Sequence, residues 1–217
     1  MIRIFAVHTS TALIEPITAL FKEYLPEVKL NHLADDSLIQ EVIANGKVTP
    51  MVKKRLLSYY YAAAEAGADF IFNTCSSVGE VADNANLFLP VPVIRIDEQM
   101  ALKAIELSDR IGVLATLPTT LLPTANLLKK KAAAGNKKIT LVEGLAEGAF
   151  EALMSGDREK HDALILEASK KVAAKADVIV LAQGSMARME QQLADECGKI
   201  VLSSPLLGVL GLKKLLS

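Results

Sequence analysis

The side chains of this chain best able to do chemistry stand just after short apolar runs. The runs end in His8-Thr9-Ser10-Thr11, Thr74-Cys75-Ser76-Ser77-Val78-Gly79, Thr116-Leu117-Pro118-Thr119-Thr120 and Gln183-Gly184-Ser185. Small hydroxyls and backbone N–H groups at loop-to-helix junctions suit a carboxylate, because the free N–H groups and the dipole of a helix N-terminus favour an anion. A single such loop reads better as a helix N-cap. Four of them at corresponding places point to a site for a small carboxylate or oxo-acid, lined by Thr9, Ser10, Ser76, Ser77, Thr116, Thr119, Gln183, Gly184 and Ser185.

Cys75 and His8 are the candidates for proton chemistry. Cys75 ends an apolar run between hydroxyl residues and opens onto Gly79 and a helix, whose N–H groups would favour a thiolate. The same residue type is also a small buried hydrophobe, and the residues alone leave both readings open. His8 follows Val7 at a strand end, where an imidazole serves as acid, base or anion partner, or else packs against the sheet. Cys197, before Gly198 at the end of a helical segment, reads as structural. His32, near Asp35 and Asp36, is given a minor part, and His161 in the Arg158–Asp162 charge cluster reads as solvated surface. Asp97 reads as a helix cap, and Lys129–Lys131 with Lys137-Lys138 as a solvated helix end and turn.

Two cysteines and three scattered histidines supply neither a disulfide framework nor a metal set, and GxGxxG, GxxxxGK, HExxH and CxxC are all missing. The expected chemistry is free of metal, and dinucleotide, nucleotide and zinc enzymes are disfavoured. Twenty-four Lys and Arg against 25 Asp and Glu leave a net charge of −1, which gives no bulk attraction to nucleic acid. With 51% apolar residues the chain can build a core, while no uncharged stretch reaches the ~18 residues of a membrane span. Met1 to Ser10 reads as a first strand rather than a leader, and a cytoplasmic protein is expected.

The elements that would position these residues follow from an alternation of β-branched runs with stretches of helical period. That alternation is the mark of an α/β protein with a mostly parallel sheet. Strands are expected over 2–7, 28–33, 69–74, 91–96, 111–115, 138–142, 178–182 and 199–202. Helices are expected over 12–24, 37–44, 51–66, 97–107, 124–134, 147–155, 159–174, 186–196 and 205–216. Displaced by about 107–111 residues, the chain echoes itself: Arg3-Ile4 falls on Arg110-Ile111, and Ala66-Gly67-Ala68-Asp69 on Ala174-Lys175-Ala176-Asp177. Cys75 then falls on Gln183. Two similar lobes of parallel βα units are expected, related by a pseudo-twofold with the site in a cleft between them; a single doubly wound sheet is the alternative. The first lobe comprises 1–97 with a C-terminal helix of about 205–217, and the second comprises 98–204.

The duplicated lobes, the segment Ala68-Asp69-Phe70-Ile71-Phe72-Asn73-Thr74-Cys75-Ser76-Ser77, and Ile111-Gly112-Val113-Leu114-Ala115-Thr116 with Thr119 resemble the Asp/Glu/hydantoin racemase superfamily. The resemblance spans essentially the whole chain. It implies a cofactor-independent, homodimeric cytoplasmic isomerase working at a carbon next to a carboxylate or carbonyl. Two cysteines, one per lobe, would exchange the proton. Here Leu181-Ala182-Gln183-Gly184-Ser185 stands where the family carries its second cysteine, and an amide does no acid or base work near neutrality. The resemblance therefore implies Cys75 as the acid/base, with His8 and Thr9 at the family's first loop. Related readings are a lyase like the arylmalonate decarboxylases, a non-catalytic carboxylate-binding protein, and an acyl-transfer or hydrolytic cysteine enzyme with His8 as base.

Overall fold

A computed structural model of the chain describes residues 1–216. The fold is α/β. Strands β1 (Arg3–His8), β2 (Lys29–Ala34), β3 (Phe70–Asn73) and β4 (Val93–Arg95) form one sheet in the order β2-β1-β3-β4. Strands β5 (Arg110–Ala115), β6 (Thr140–Leu145), β7 (Val178–Leu181) and β8 (Ile200–Leu202) form a second, in the order β6-β5-β7-β8. Every pairing is parallel. The sequence alternative of one continuous doubly wound sheet is therefore not what the chain adopts.

The helices are α1 (Ile14–Tyr24), α2 (Ser37–Asn45), α3 (Pro50–Glu65), α4 (Gly79–Ala85), α5 (Glu98–Leu107), α6 (Pro118–Ala134), α7 (Ala149–Met154), α8 (Arg158–Ala173), α9 (Glu190–Cys197) and α10 (Ser204–Leu216). Tight 3-10 turns at Thr11–Leu13, Ser76–Val78 and Gly184–Met189 lead into α1, α4 and α9. The chain divides into two compact units, Met1–Glu98 with the segment from Pro205, and Gln99–Ser204.

Strand alternation builds the first unit. Phe5 and Val7 face a core with Leu38, Val42, Leu56 and Tyr60 from α2 and α3. Ile4 and Ala6 point the other way, into a core with Ile17 and Phe21 of α1 and Val209 and Leu212 of α10. Each fully buried large apolar side chain contributes about 1.5–3 kcal/mol. The C-terminal helix reaches this unit through a close approach at Gly208, where a Cβ would lie 2.6 Å from the Ile96 carbonyl oxygen. In the second unit Leu114, Ile165, Val172, Ile179 and Leu181 hold a corresponding core.

Two boundaries depart from the sequence expectation for identifiable reasons. The helix expected from Thr124 starts at Pro118 and runs through Pro123. Pro118 is pre-set for the first helical position, and Pro123 removes only one hydrogen bond, so the two prolines do not end the helix. The strand expected over 138–142 runs instead over Thr140–Leu145, because six pairs with β5 carry it past Glu143 and Gly144.

In each sheet the chain adds its second strand on one side of the first and its third on the other. The point where the order reverses lies between β1 and β3, and between β5 and β7. At a reversal the connections leave in opposite directions, opening a crevice at the carboxyl ends of those two strands. His8 ends β1, Thr9 and Thr74-Cys75 follow the first such pair of strands, and Thr116 and Gln183 follow the second.

Candidate active site

Cys75 stands two residues beyond β3, just ahead of the Ser76–Val78 turn and α4. Its thiol is half-buried and hydrogen-bonded by the Thr9 hydroxyl, by the Ser77 and Val78 N–H groups and by the Ser77 side chain. Burial pushes the thiol above its ordinary value, against the pull of these partners. Near neutral pH the group is a protonated thiol with a ready-made bed for the thiolate.

The loop is held from behind. Asn73 Nδ2 donates to the Cys75 carbonyl at 2.9 Å, and the Tyr60 hydroxyl donates to Asn73 Oδ1 at 3.0 Å. Arg95, at the end of β4, makes two hydrogen bonds of 2.9 Å with Asp97 and a longer one of 3.3 Å with Asp83 of α4. Its guanidinium passes so close under α4 that a Cβ at Gly79 would lie 2.3 Å from it.

His8 is buried, and both its ring nitrogens are engaged: Nδ1 lies 2.9 Å from Thr74 Oγ1 and Nε2 lies 2.9 Å from His32 Nδ1. Burial first, and the neighbouring His32 second, lower its pKa to about 4, so it is neutral at pH 7. His32 is lowered too, by burial, and its Nε2 lies 3.1 Å from Thr18 Oγ1.

The second unit repeats the frame with other side chains. Ile4 pairs with Phe70, and Ile111 with Val178, so the register places Gln183 where the first unit has Cys75, and Thr116 where it has Thr9. The Thr9–Cys75 contact has its counterpart in an amide clamp. Gln183 Oε1 accepts from the Thr116 N–H at 2.8 Å, and Nε2 donates to Thr116 Oγ1 at 2.5 Å. The Thr119 hydroxyl, in the first turn of α6, is buried with no hydrogen-bond partner.

The residues singled out in the sequence thus fall into two groups. Thr9, Cys75 and Ser77 meet directly, with buried Ser76 beside them and His8 behind. Thr116 and Gln183 meet in the other unit, where Gly184 is half-buried and Ser185 exposed. Ser10 is occupied otherwise, its Oγ accepting from the Ala12 N–H as cap of the Thr11–Leu13 turn.

One expectation is corrected. His161 is not solvated: it is 2% exposed, with Nδ1 2.7 Å from Asp162 Oδ1 and 3.1 Å from the Arg188 guanidinium. It shares the inward stripe of α8 with Ile165, Ala168 and Val172, at helical spacing, and that placement overrides the charged neighbours. Asp97 stands directly before α5, and it is fully buried with its carboxylate paired to Arg95. Cys197 lies at the end of α9 against the second core, 3.2 Å from Ser169 Oγ. Among the described residues no three His, Cys, Asp or Glu side chains gather as a metal site, and no helix is long and apolar enough to cross a membrane.

Sequence reasoning passed over Asn73 and Arg95 as supports of the site, took Thr74 only as one member of a hydroxyl loop, and gave His32 a minor part. The first three could have been found by asking what holds the strand-end loops. His32 needed the β1–β2 register, which sets it opposite Ala6 and on the same face as His8.

A family model for Asp/Glu/Hydantoin racemase matches residues 2–210. No curated protein sequence matches the chain. Among solved structures, allantoin racemase from Klebsiella pneumoniae is similar over 100% of this chain and 88% of its own, with 21% identity and a TM-score of 0.69. Glutamate racemase from Francisella tularensis subsp. tularensis, in complex with D-glutamate, is similar over 99% and 81%, with 14% identity and a TM-score of 0.77. Aspartate racemase from Picrophilus torridus is similar over 99% and 95%, with 10% identity and a TM-score of 0.75. At these identities the likeness is one of fold.

Proposed function

Because the chain belongs to the Asp/Glu/Hydantoin racemase family, we propose that it is a cofactor-independent isomerase of racemase type in which Cys75 carries the proton. Its substrate is a small carbon acid whose reacting carbon is flanked by a carboxylate or carbonyl. The observation that carries this reading is the thiol itself, held at a strand-order reversal by Thr9 and by the N–H groups of Ser77 and Val78.

The resting thiol is an acid. In that direction the S–H bond breaks as a C–H bond forms at the enolate carbon, and Thr9, Ser77 and Val78 take up the charge left on sulfur. In reverse the thiolate removes the same proton. Ser76, beside the thiol, is proposed to help bind the carboxylate and the developing enolate, and in the second unit Thr116, Thr119, Ser185 and the backbone of Gly184 are proposed as carboxylate-binding groups. Thr119 has a buried hydroxyl still without a partner. His8 acts from behind, since both its nitrogens are engaged.

The clamp on Gln183 favours a one-thiol variant of this chemistry. An amide fixed by Thr116 supplies no second acid or base, so any proton that Cys75 does not carry falls to water. A lyase in which loss of a carboxylate generates the enolate and Cys75 protonates it uses the same parts.

Proton NMR in deuterated water over amino acids, hydantoins, malonates and oxo-acids tests the proposal. Deuterium uptake at carbon is expected with the wild type and with Cys197→Ala, and none with Cys75→Ala; equal uptake by all three proteins would refute the role of Cys75. Gln183→Cys is expected to raise racemisation relative to isomerisation or decarboxylation, and an unchanged product ratio would argue that position 183 takes no part. A homodimer is expected, with light scattering on the purified protein as the check.

A further inference from the structure

The two histidines behind Cys75 belong to one continuous chain of contacts: Val7 O, Thr74 Oγ1, His8, His32, Thr18 Oγ1 and Ile14 O. The five links measure 3.1, 2.9, 2.9, 3.1 and 2.7 Å in that order. With both imidazoles neutral, the two hydroxyls and two rings supply one proton each, so one link holds none. The short link from Thr18 to the Ile14 carbonyl has to be filled, because two oxygens at that distance repel unless a proton lies between them.

Of the four links left for three protons, the one that loses least by staying open is Thr74 Oγ1 to Val7 O, since 3.1 Å is long for O–H···O while the other three lie at ordinary lengths for a bond to a ring nitrogen; leaving it open sets every other proton. Thr18 donates to Ile14, His32 Nε2–H to Thr18, His8 Nε2–H to His32 Nδ1, and the Thr74 hydroxyl to His8 Nδ1. The empty link falls between Thr74 Oγ1 and Val7 O, where the carbonyl already accepts the Thr74 backbone N–H at 3.1 Å. Asp35, which follows β2, donates its N–H to the His8 carbonyl, and its carboxylate is engaged by Arg55, Ser37 and Tyr59.

We propose that His32, held by Thr18, is a positioning residue of the Cys75 site. It keeps His8 in the Nε2–H form, so that the Thr74 hydroxyl donates into His8 and ties the ends of β1 and β3, which carry Thr9 and Cys75, to one another. The functional weight of this brace rests on the reading of Cys75 as proton carrier; the tautomer does not.

The same count gives a sharp test. Thr18→Val leaves three links and three protons, and all three are filled only if both rings hold their proton on Nδ1. Nitrogen-15 NMR of the imidazoles near neutral pH should therefore show Nε2–H on His8 in the wild type and in Thr18→Ser, and Nδ1–H in Thr18→Val. His32→Phe, which leaves a His8 Nε2–H without an acceptor, should show the same flip. A wild-type His8 protonated on Nδ1, or no flip in a folded Thr18→Val protein, would overturn the assignment.

The second readout is alkylation of Cys75 by iodoacetamide across pH, in a Cys197→Ala background. Its midpoint should move by about half a unit or more in Thr18→Val and His32→Phe and stay in place in Thr18→Ser. A flipped tautomer with an unmoved midpoint would reduce His32 to a structural brace and overturn the positioning role. Neither readout uses turnover, so an active Cys75→Ala protein would refute the proposed function while leaving the tautomer result standing.

Discussion

The thiol of Cys75 is governed by two opposed effects, and their balance decides which half of a proton transfer it performs unaided. Desolvation favours the neutral form, while hydrogen bonds from Thr9, Ser77 and Val78 favour the thiolate, and burial wins. Alkylation of Cys75 should accordingly be slow at neutral pH and climb only above the ordinary cysteine range; a rate already on its plateau at neutrality would contradict that balance. Tyr60→Phe removes the hydroxyl that orients Asn73, which in turn holds the Cys75 carbonyl. A buried hydrogen bond of this kind is worth about 1 kcal/mol, and its loss leaves Asn73 Oδ1 short of a donor. Urea unfolding of Tyr60→Phe should show a destabilisation of that order, and an unchanged midpoint would mean that Asn73 finds another donor.

At the scale of elements, the approach of β4 to α4 is the tightest constraint on the site. Arg95 reaches across the end of β3 to Asp83 and lies under Gly79, the first residue of α4. Its pKa is raised by Asp97 and Asp83 against the cost of burial, so it remains charged and anchored. A methyl group at Gly79 would meet a guanidinium that cannot swing away without breaking its pair with Asp97. Gly79→Ala should therefore destabilise the protein by about 1–3 kcal/mol. It should also alter Cys75 alkylation, since the turn that supplies the Ser77 and Val78 N–H groups is displaced; normal stability together with normal alkylation would show that the loop has room to shift.

For the molecule as a whole, the buried histidine makes stability depend on pH with a definite sign. His8 titrates at about 4 when folded against 6.5 in the unfolded chain, so between those values the unfolded state binds more protons. This contribution is complete above the unfolded value and is lost as pH falls through that window, amounting to about 3 kcal/mol in total. Urea unfolding followed from neutral pH down to about pH 4.5 should show the decline, and His8→Asn should flatten it. A slope identical in the variant would place the acid sensitivity elsewhere.

Much of this protein is legible in one dimension. Strand and helix periods, the repeat that sets Cys75 against Gln183, and the hydroxyl loops at strand ends are properties of neighbouring residues and of their spacing, so the sequence by itself determined the α/β class and the candidate residues. What the tertiary structure decided is how those residues are occupied. His8 at a strand end was open to a site role or to packing against the sheet, and it is held between Thr74 and His32 because β2 and β3 flank β1 in register. His161 looked solvated among charges and is buried because α8 turns that stripe to the core. Asp97, directly before α5, is the counter-ion of a buried arginine, a role its neighbours in the chain did not announce. Each of these outcomes depends on contacts between segments distant in the chain, whose register and burial no local pattern encodes.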